Sequence, residues 1–251
     1  MRNRIHSGWY LAIAALLSFA PCALSQELQI NNPPSNNVMD GIYVGSYSAT
    51  NTATGGSLQI TCDDFQDNSD YNPASYTTNT FSTLGSTLWG SSLLASGSSM
   101  GQVTQLYDEV AWLTLGMLKQ TGTEQGYYSY AIWAIFSPSQ VAAWLTSYSD
   151  SAACNAVFGN GSWGKGGCTA GTGGLVGTAS SQTYTSGEFS NILILTPHGC
   201  TNGPGTCPEQ EFLEVVAEGG SAAMYLLLAG FACFAAVYFR SRRPVSAERS
   251  A

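Results

Sequence analysis

The chain has 251 residues, of which 10% are charged, and a formal net charge of −8 at pH 7. Between residues 26 and 218 the basic side chains are Lys119 and Lys165, against fifteen acidic ones, which leaves this segment with a net charge of −13. A segment this acidic repels phosphate backbones, which excludes nucleic acid as a partner. Its length is sufficient for one domain with its own hydrophobic core.

Residues 1–25 are predicted to form a secretory signal peptide. A short arginine-containing region precedes an apolar stretch over residues 9–19, and the small-residue pattern Ala-Leu-Ser follows at residues 23–25. An apolar stretch of this length is shorter than a membrane span of about 20 residues and is typical of a signal peptide. We therefore expect a mature chain that begins at Gln26. Lipid modification at Cys22 is the alternative, which the preceding proline disfavours.

The exported segment begins with elements of the β type. Residues 28–40 are rich in Asn and Pro and predict an irregular lead-in. A Thr-Gly-Gly turn at residues 54–56 separates two stretches of strand-like composition and predicts a hairpin. The predicted strands of this half cover residues 42–49, 57–63 and 76–83. Residues 91–101 consist largely of small side chains and are predicted to be a loop.

The middle of the segment changes to a helical pattern. Apolar residues recur at helical spacing, and Ser137 followed by Pro138 matches a helix cap with proline in the first turn. The predicted helices cover residues 102–119, 127–136 and 138–148. Ten glycines predict a long loop over residues 155–187. The closing strands are predicted at residues 189–195 and 211–216, so the fold class is α+β, a β-rich exported domain with an inserted helical layer.

Five cysteines fall within the exported segment, where disulfides can form. Cys154 and Cys168 bracket a glycine-rich stretch, and Cys200 and Cys207 bracket Thr-Asn-Gly-Pro-Gly-Thr. A disulfide across each short loop is the simplest pairing, although sequence alone does not fix the connectivity. This pairing leaves Cys62 unpaired. The spacings match no zinc site, because no two cysteines are separated by two residues.

An acidic run follows Cys62, and two interpretations of it are open. The carboxylates of Asp63, Asp64, Asp67 and Asp70 are of the type that calcium requires as ligands. Their order does not match the Asp-x-Asp-x-Asn-Gly pattern of an EF-hand loop, which favours a solvated loop without metal.

Three further residues are candidates for binding or catalysis. Trp89 and Trp163 lie in glycine-rich stretches and are candidates for stacking against sugar rings. His198 is the one histidine between residues 26 and 218 and the candidate base of a hydrolase, but it lies in a predicted turn beside Cys200, where a histidine is usually exposed to solvent.

A C-terminal transmembrane helix is predicted over residues 221–239. This stretch contains no charged residue, and at about 1.5 Å per residue it extends roughly 28 Å, enough to cross the hydrocarbon core. Basic residues follow it immediately, and such residues stay on the cytoplasmic side of a membrane span. We therefore expect residues 26–218 to lie outside the cytoplasm. A buried core helix is the alternative.

Residues 219–251, together with Ala217 and Glu218, resemble a PEP-CTERM sorting tail. Such a tail joins a short Pro-Glu-Pro-type motif to one hydrophobic helix and a basic end. The variant motif here consists of Ala217, Glu218, Gly219, Gly220 and Ser221, and the basic end, within residues 240–243, of Arg240, Arg242 and Arg243. The resemblance implies an exosortase-type sorting enzyme as a partner and a cell-envelope location, with release of the domain if the tail is processed.

A second resemblance covers the region around Cys62 and the helices. The sequence Cys-Asp-Asp-Phe after a strand, together with Tyr-Ala-Ile-Trp at residues 130–133, is similar to a domain found in many PEP-CTERM proteins and distantly to the thioester domains of surface adhesins. In those adhesins a glutamine joins the strand cysteine in a thioester. Ser129 occupies the glutamine position here, and Gln125 lies one helical turn earlier. Without the glutamine, a buried and inert thiol is the expected state of Cys62, and a reactive thiol is the alternative that the resemblance implies.

These observations predict an exported, envelope-anchored, non-enzymatic surface or matrix-associated protein that needs no cofactor. Its expected partners are the membrane, the sorting enzyme and an exopolysaccharide or other matrix component. A covalent adhesin with an internal thioester at Cys62 is the first alternative. A secreted hydrolase is the more remote one.

Overall fold

The structure, a computed structural model, describes residues 25–31, 37–68, 72–200, 203–216 and Phe231. Contacts divide the chain into two compact units, Met1–Val215 and Val216–Ala251, and the first of these is described here. The predicted signal peptide up to residue 24 lies outside the described residues, and so do the sorting motif, the basic end and all of the predicted transmembrane helix except Phe231. Among the described residues no helix has both the length and the apolar character needed to cross a membrane.

Most strands of the described chain lie before or after a central stretch that contains the helices. The strands are β1 Ser25–Ile30, β2 Val38–Met39, β3 Ile42–Tyr43, β4 Ser46–Asn51, β5 Ser57–Cys62, β6 Ala74–Asn79, β7 Trp163–Gly164, β8 Gly167–Cys168, β9 Ile192–Pro197 and β10 Phe212–Val215. The helices are α1 Leu88–Ala95, α2 Met100–Met117, α3 Gly122–Phe136, α4 Pro138–Tyr148, α5 Ser151–Phe158 and α6 Gly174–Ser180. All six helices lie between β6 and β9, which agrees with the predicted α+β class.

Six of the strands close into an antiparallel barrel in the order β1-β4-β5-β10-β9-β6. The predicted hairpin is confirmed as the β4–β5 pair, in which Thr50 lies opposite Ser57. Its turn is stabilised by the Asn51 side chain, whose Oδ1 accepts hydrogen bonds from the backbone N–H groups of Ala53 and Thr54. Asparagine favours such turns because its amide can bond to the backbone two residues further on.

The predicted irregular lead-in is wrong at its beginning. Residues up to Ile30 form β1, which pairs with both β4 and β6 and completes the barrel. Leu28 and Ile30 point into the core while Glu27 and Gln29 are exposed. This is the period-two alternation of a half-buried strand, and the Asn and Pro residues that follow it masked the pattern.

The helical layer is positioned by local sequence signals. Helix α2 begins with a capping box, in which Ser99 and Gln102 each bond to the other's backbone N–H. Its buried face includes Val103, Val110 and Leu113. Helix α4 begins at Pro138 as predicted, although the Ser137 side chain makes no cap hydrogen bond.

The predicted small-residue loop at residues 91–101 is wrong in its first half, which belongs to α1. Thr87 caps this helix by accepting a hydrogen bond from the backbone N–H of Gly90. The helix is anchored by Leu88 and Trp89, which are buried, with Trp89 stacked on Phe136 at 5.0 Å between ring centroids. Trp89 is therefore a core residue and does not provide a surface for stacking against sugars.

Both predicted disulfides are present. Cys154 of α5 is bonded to Cys168 of β8, with the two Cα atoms 5.8 Å apart. Cys200 is bonded to Cys207 in the segment that leads from β9 to β10. The first bond closes part of the glycine-rich region at residues 155–187, for which a loop is predicted. In the structure this region also contains the short helix α6 and the β7–β8 pair.

Candidate functional site

The segment after β5 carries three buried carboxyl groups. Asp63 and Asp64 are completely buried and Asp67 is almost so. The predicted solvated loop is therefore wrong for these three residues. Burying carboxyl groups is unfavourable unless they are protonated or hydrogen-bonded, so their surroundings decide what they do.

Glu211 is the acceptor at the centre of this buried acidic cluster. Its Oε1 accepts a hydrogen bond from the hydroxyl of Tyr107 at 2.6 Å. Its Oε2 accepts from the hydroxyl of Thr196 at 2.6 Å and from the backbone N–H of Leu88 at 2.6 Å. One carboxyl group therefore joins the start of β10 to β9, α1 and α2. It completes the junction between the barrel and the helical layer.

Asp63 is buried next to Glu211, whose backbone oxygen accepts a hydrogen bond from the Asp63 N–H. Neither oxygen of Asp63 meets a hydrogen-bond donor among the described residues. Burial raises the pKa of Asp63 well above its usual range, and the nearby charge of Glu211 raises it further. Burial also raises the pKa of Glu211, but its hydrogen bonds oppose that shift. Both carboxyl groups therefore favour the protonated form more than exposed ones do, and they titrate as a pair.

A second acidic pair, Asp64 and Asp67, faces the disulfide loop. Burial raises the pKa of Asp64 to about 8, with a further contribution from a hydrogen bond with the Asp67 carboxyl. Asp67 accepts hydrogen bonds from the backbone N–H groups of Gly205 at 2.9 Å and Cys207 at 3.1 Å. Asp67 therefore fixes the Cys200–Cys207 loop against the segment that follows β5.

Cys62 lies at the end of β5, and among the described residues it is the one cysteine outside a disulfide. Its thiol is buried and donates a hydrogen bond to the backbone oxygen of Asp64 at 3.0 Å. Burial raises the pKa of this thiol well above its usual range, and the charges of Asp64 and Asp63 act in the same direction. These conditions favour the thiol over the reactive thiolate.

The structure brings together the two segments that carry the second resemblance, because Trp133 donates a hydrogen bond to the carbonyl oxygen of Cys62. The candidate acyl donors make other contacts. Ser129 accepts a hydrogen bond from the backbone N–H of Gly45 at 2.7 Å. Gln125 accepts one from the Asn37 side chain at 3.0 Å. The described hydrogen bonds of the Cys62 thiol involve neither residue.

A cleft of about 320 Å³ opens beside this segment. One wall is formed by the β2–β3 hairpin with Tyr43, which is 43% exposed, and by Tyr47 at the start of β4. The segment after β5 also lines the cleft, with Phe65 and Asn68, and so does Trp133 of α3. The size is within the range of roughly 300 to 1,000 Å³ that is common for small-molecule sites.

A second, more open depression of about 490 Å³ lies on the other side of Phe65. Its floor includes Trp144 of α4, and Gln66, Gln140 and Ser147 provide polar groups around it. The Phe65 ring contacts Trp133 at 5.3 Å and Trp144 at 5.8 Å between centroids. Phe65 therefore separates the two depressions and belongs to both.

The residues considered for other chemistry are placed apart from this cleft. His198 is exposed in the turn after β9. Residues 97–101 match the Gly-x-Ser-x-Gly pattern, a match that sequence reasoning missed. Its central Ser99 is the N-cap of α2 and follows a helix, where the hydrolase elbow requires a strand. Trp163 is half-buried in β7.

No group of three or more His, Cys, Asp or Glu side chains is placed to hold a metal ion within the part of the chain that the structure describes. The acidic cluster departs from a calcium site in its chemistry, since the oxygens of Glu211 and Asp67 accept hydrogen bonds from donors of the chain itself. Asp70, the last member of the acidic run, lies outside the described residues.

Comparisons with protein-family models, with characterised proteins and with solved structures find no match to this chain. The site is therefore interpreted from its own geometry.

Proposed function

We propose that this chain is an exported, non-enzymatic protein that is anchored in a bacterial cell envelope and presents its barrel-and-helix domain outside the cytoplasm. The observation that carries the proposal is the pair of short disulfides, Cys154–Cys168 and Cys200–Cys207. Such bonds form in the periplasm or outside the cell and are rare in the cytosol. They occur in a chain whose two ends have the composition of an export signal and a sorting tail.

The buried acidic cluster supports a non-enzymatic role. Glu211 is saturated by donors from its own chain, and Asp67 is occupied by the disulfide loop. Asp63 and the Cys62 thiol are buried, so a substrate does not reach them in this conformation. The cluster serves to join the barrel to the helical layer and leaves the adjacent cleft as the surface available for binding.

The experiment that tests the proposal is fractionation of cells that express three forms of the chain. The full chain is expected in the envelope fraction, and deletion of residues 2–25 is expected to leave the protein in the cytoplasm. Deletion of residues 221–251 is expected to release the domain into the periplasm or the medium. A tail-deleted form that stays membrane-bound contradicts the proposed anchor, and a full chain found in the cytoplasm contradicts export.

A further inference from the structure

We propose that the two depressions on either side of Phe65 form one binding surface for a neutral polysaccharide chain. The proposal rests on the proposed function, since an envelope protein with this location meets such polymers, and it names the ligand of the cleft. The surface is defined as the 320 Å³ cleft beside Tyr43 together with the 490 Å³ depression beside Trp144.

Aromatic side chains supply the contact area along this surface. Tyr43 and Tyr47 line the first depression, Phe65 lies between the two, and Trp144 lines the second. The faces of sugar rings are apolar, and aromatic rings provide flat apolar area that needs little ordering on binding. Four such residues distributed over two adjoining depressions suit an extended chain of sugar units better than a single compact ligand.

Uncharged polar groups surround these rings. Asn68 and Gln210 line the first depression, and Gln140 and Ser147 line the second. Gln140 and Ser147 are exposed on one face of α4, one helical turn from Trp144. Amides and hydroxyls both donate and accept hydrogen bonds, which matches the hydroxyl groups of a sugar.

Charge decides which class of polysaccharide fits. Neither depression has a Lys, Arg or His among its lining residues, and the described part of the chain contains two lysines and no arginine. An acidic polysaccharide would therefore lack a counter-ion and would be repelled by the negative domain. Two acidic residues, Asp64 and Asp67, line the cleft. Asp64 accepts a hydrogen bond from the backbone N–H of Gln66, and Asp67 accepts two from backbone N–H groups of the disulfide loop. A neutral chain requires neither cation nor free carboxylate.

The test uses the full chain purified in a detergent without a sugar headgroup. Binding is measured by calorimetry and by the change in tryptophan fluorescence. The neutral probes are cellohexaose, maltohexaose and mannohexaose, and the acidic probe is hexagalacturonate. We expect saturable binding of at least one neutral probe, stronger than that of the acidic probe. Tyr43→Ala is expected to weaken it at least about fivefold.

Met100→Ala is the matched control, because Met100 is 48% exposed and lines neither depression. It is expected to bind as the unchanged chain does. The proposal is overturned if no neutral probe saturates the protein up to about 10 mM, if hexagalacturonate binds more tightly than every neutral probe, or if Tyr43→Ala and Met100→Ala bind equally. Because cell fractionation is measured separately, failure of sugar binding leaves the proposed export and anchoring intact, and failed export leaves the binding result interpretable.

Discussion

The indole Nε1 of Trp133 donates a hydrogen bond to the backbone carbonyl oxygen of Cys62, with 3.0 Å between the two atoms. This contact joins the middle of the helical layer to the last residue of β5. Both groups are buried, and the Phe65 ring packs against the same indole. The hydrogen bond therefore holds α3 against the end of β5 without a covalent bond between the two segments.

Trp133→Phe is expected to lower the free energy of unfolding by about 1–3 kcal/mol, because it leaves the buried carbonyl of Cys62 without its donor. Urea unfolding followed by circular dichroism measures the change. Trp163→Phe, at a half-buried position in β7, is the control and is expected to cost less. Equal losses for the two variants contradict the role assigned to the Trp133 hydrogen bond.

The domain is expected to become less stable as pH rises from about 4 to 8. An unfolded aspartate has a pKa of about 3.9, whereas in the fold the pKa of Asp64 is raised to about 8. Between these values the folded chain binds more protons than the unfolded chain, so the free energy of unfolding falls with increasing pH. The raised pKa values of Asp63 and Glu211 act in the same direction.

Asp64→Asn removes one of these titrating groups and keeps an oxygen for the Gln66 N–H. It is expected to make the decline with pH shallower, by up to about 1.4 kcal/mol per pH unit within that window. Glu27→Gln, at an exposed position of β1, is the control and is expected to follow the unchanged chain. A domain that is more stable at pH 8 than at pH 5 contradicts the assignment of protonated buried carboxyls.

The sequence predicts an element correctly where the residues that stabilise it are close together in the chain. The start of α4 at Pro138, the β4–β5 hairpin and both disulfides follow from residues that are close together in the chain. The buried acidic cluster could not be predicted in the same way. Asp63 meets Glu211 only after the barrel closes, and a run of aspartates that is isolated in sequence is typical of a solvated loop.

Asp67→Ala is expected to free the disulfide loop, because it removes the acceptor of two backbone N–H groups, those of Gly205 and Cys207. Amide hydrogen exchange at these two positions is expected to accelerate at least about fivefold, since one lost hydrogen bond is worth about 1 kcal/mol or more. Asn68→Ala, the exposed neighbour, is the control. Unchanged exchange in the Asp67 variant contradicts the proposed attachment.

Cys62 is expected to be a free thiol that reacts only after unfolding. Its side chain is 2% exposed, and burial raises its pKa. The mature protein should show its full mass apart from the two disulfides, and methylamine should add nothing. A mass that is short by one ammonia, about 17 Da, with no titratable thiol after denaturation, establishes the thioester alternative and contradicts this prediction.

The cleft shows another limit of sequence-based prediction. The glycine-rich stretch around Trp89 makes it a candidate for sugar stacking on sequence grounds, yet it packs against Phe136 in the core. The aromatic residues of the cleft, Tyr43 and Phe65, gave no such signal, since one lies in a two-residue strand and the other within the acidic run. They come together because the β2–β3 hairpin and the segment after β5 line the same cleft in the folded chain.

The redox state of the four disulfide cysteines in living cells tests the export claim most directly. Cells that express the full chain, or the chain without residues 2–25, are quenched in acid and their free thiols are then labelled under denaturing conditions. We predict that Cys154, Cys168, Cys200 and Cys207 are unlabelled in the full chain and labelled in the deleted form, because only the exported chain reaches an oxidising compartment. Labelling of these four residues in the full chain contradicts the account.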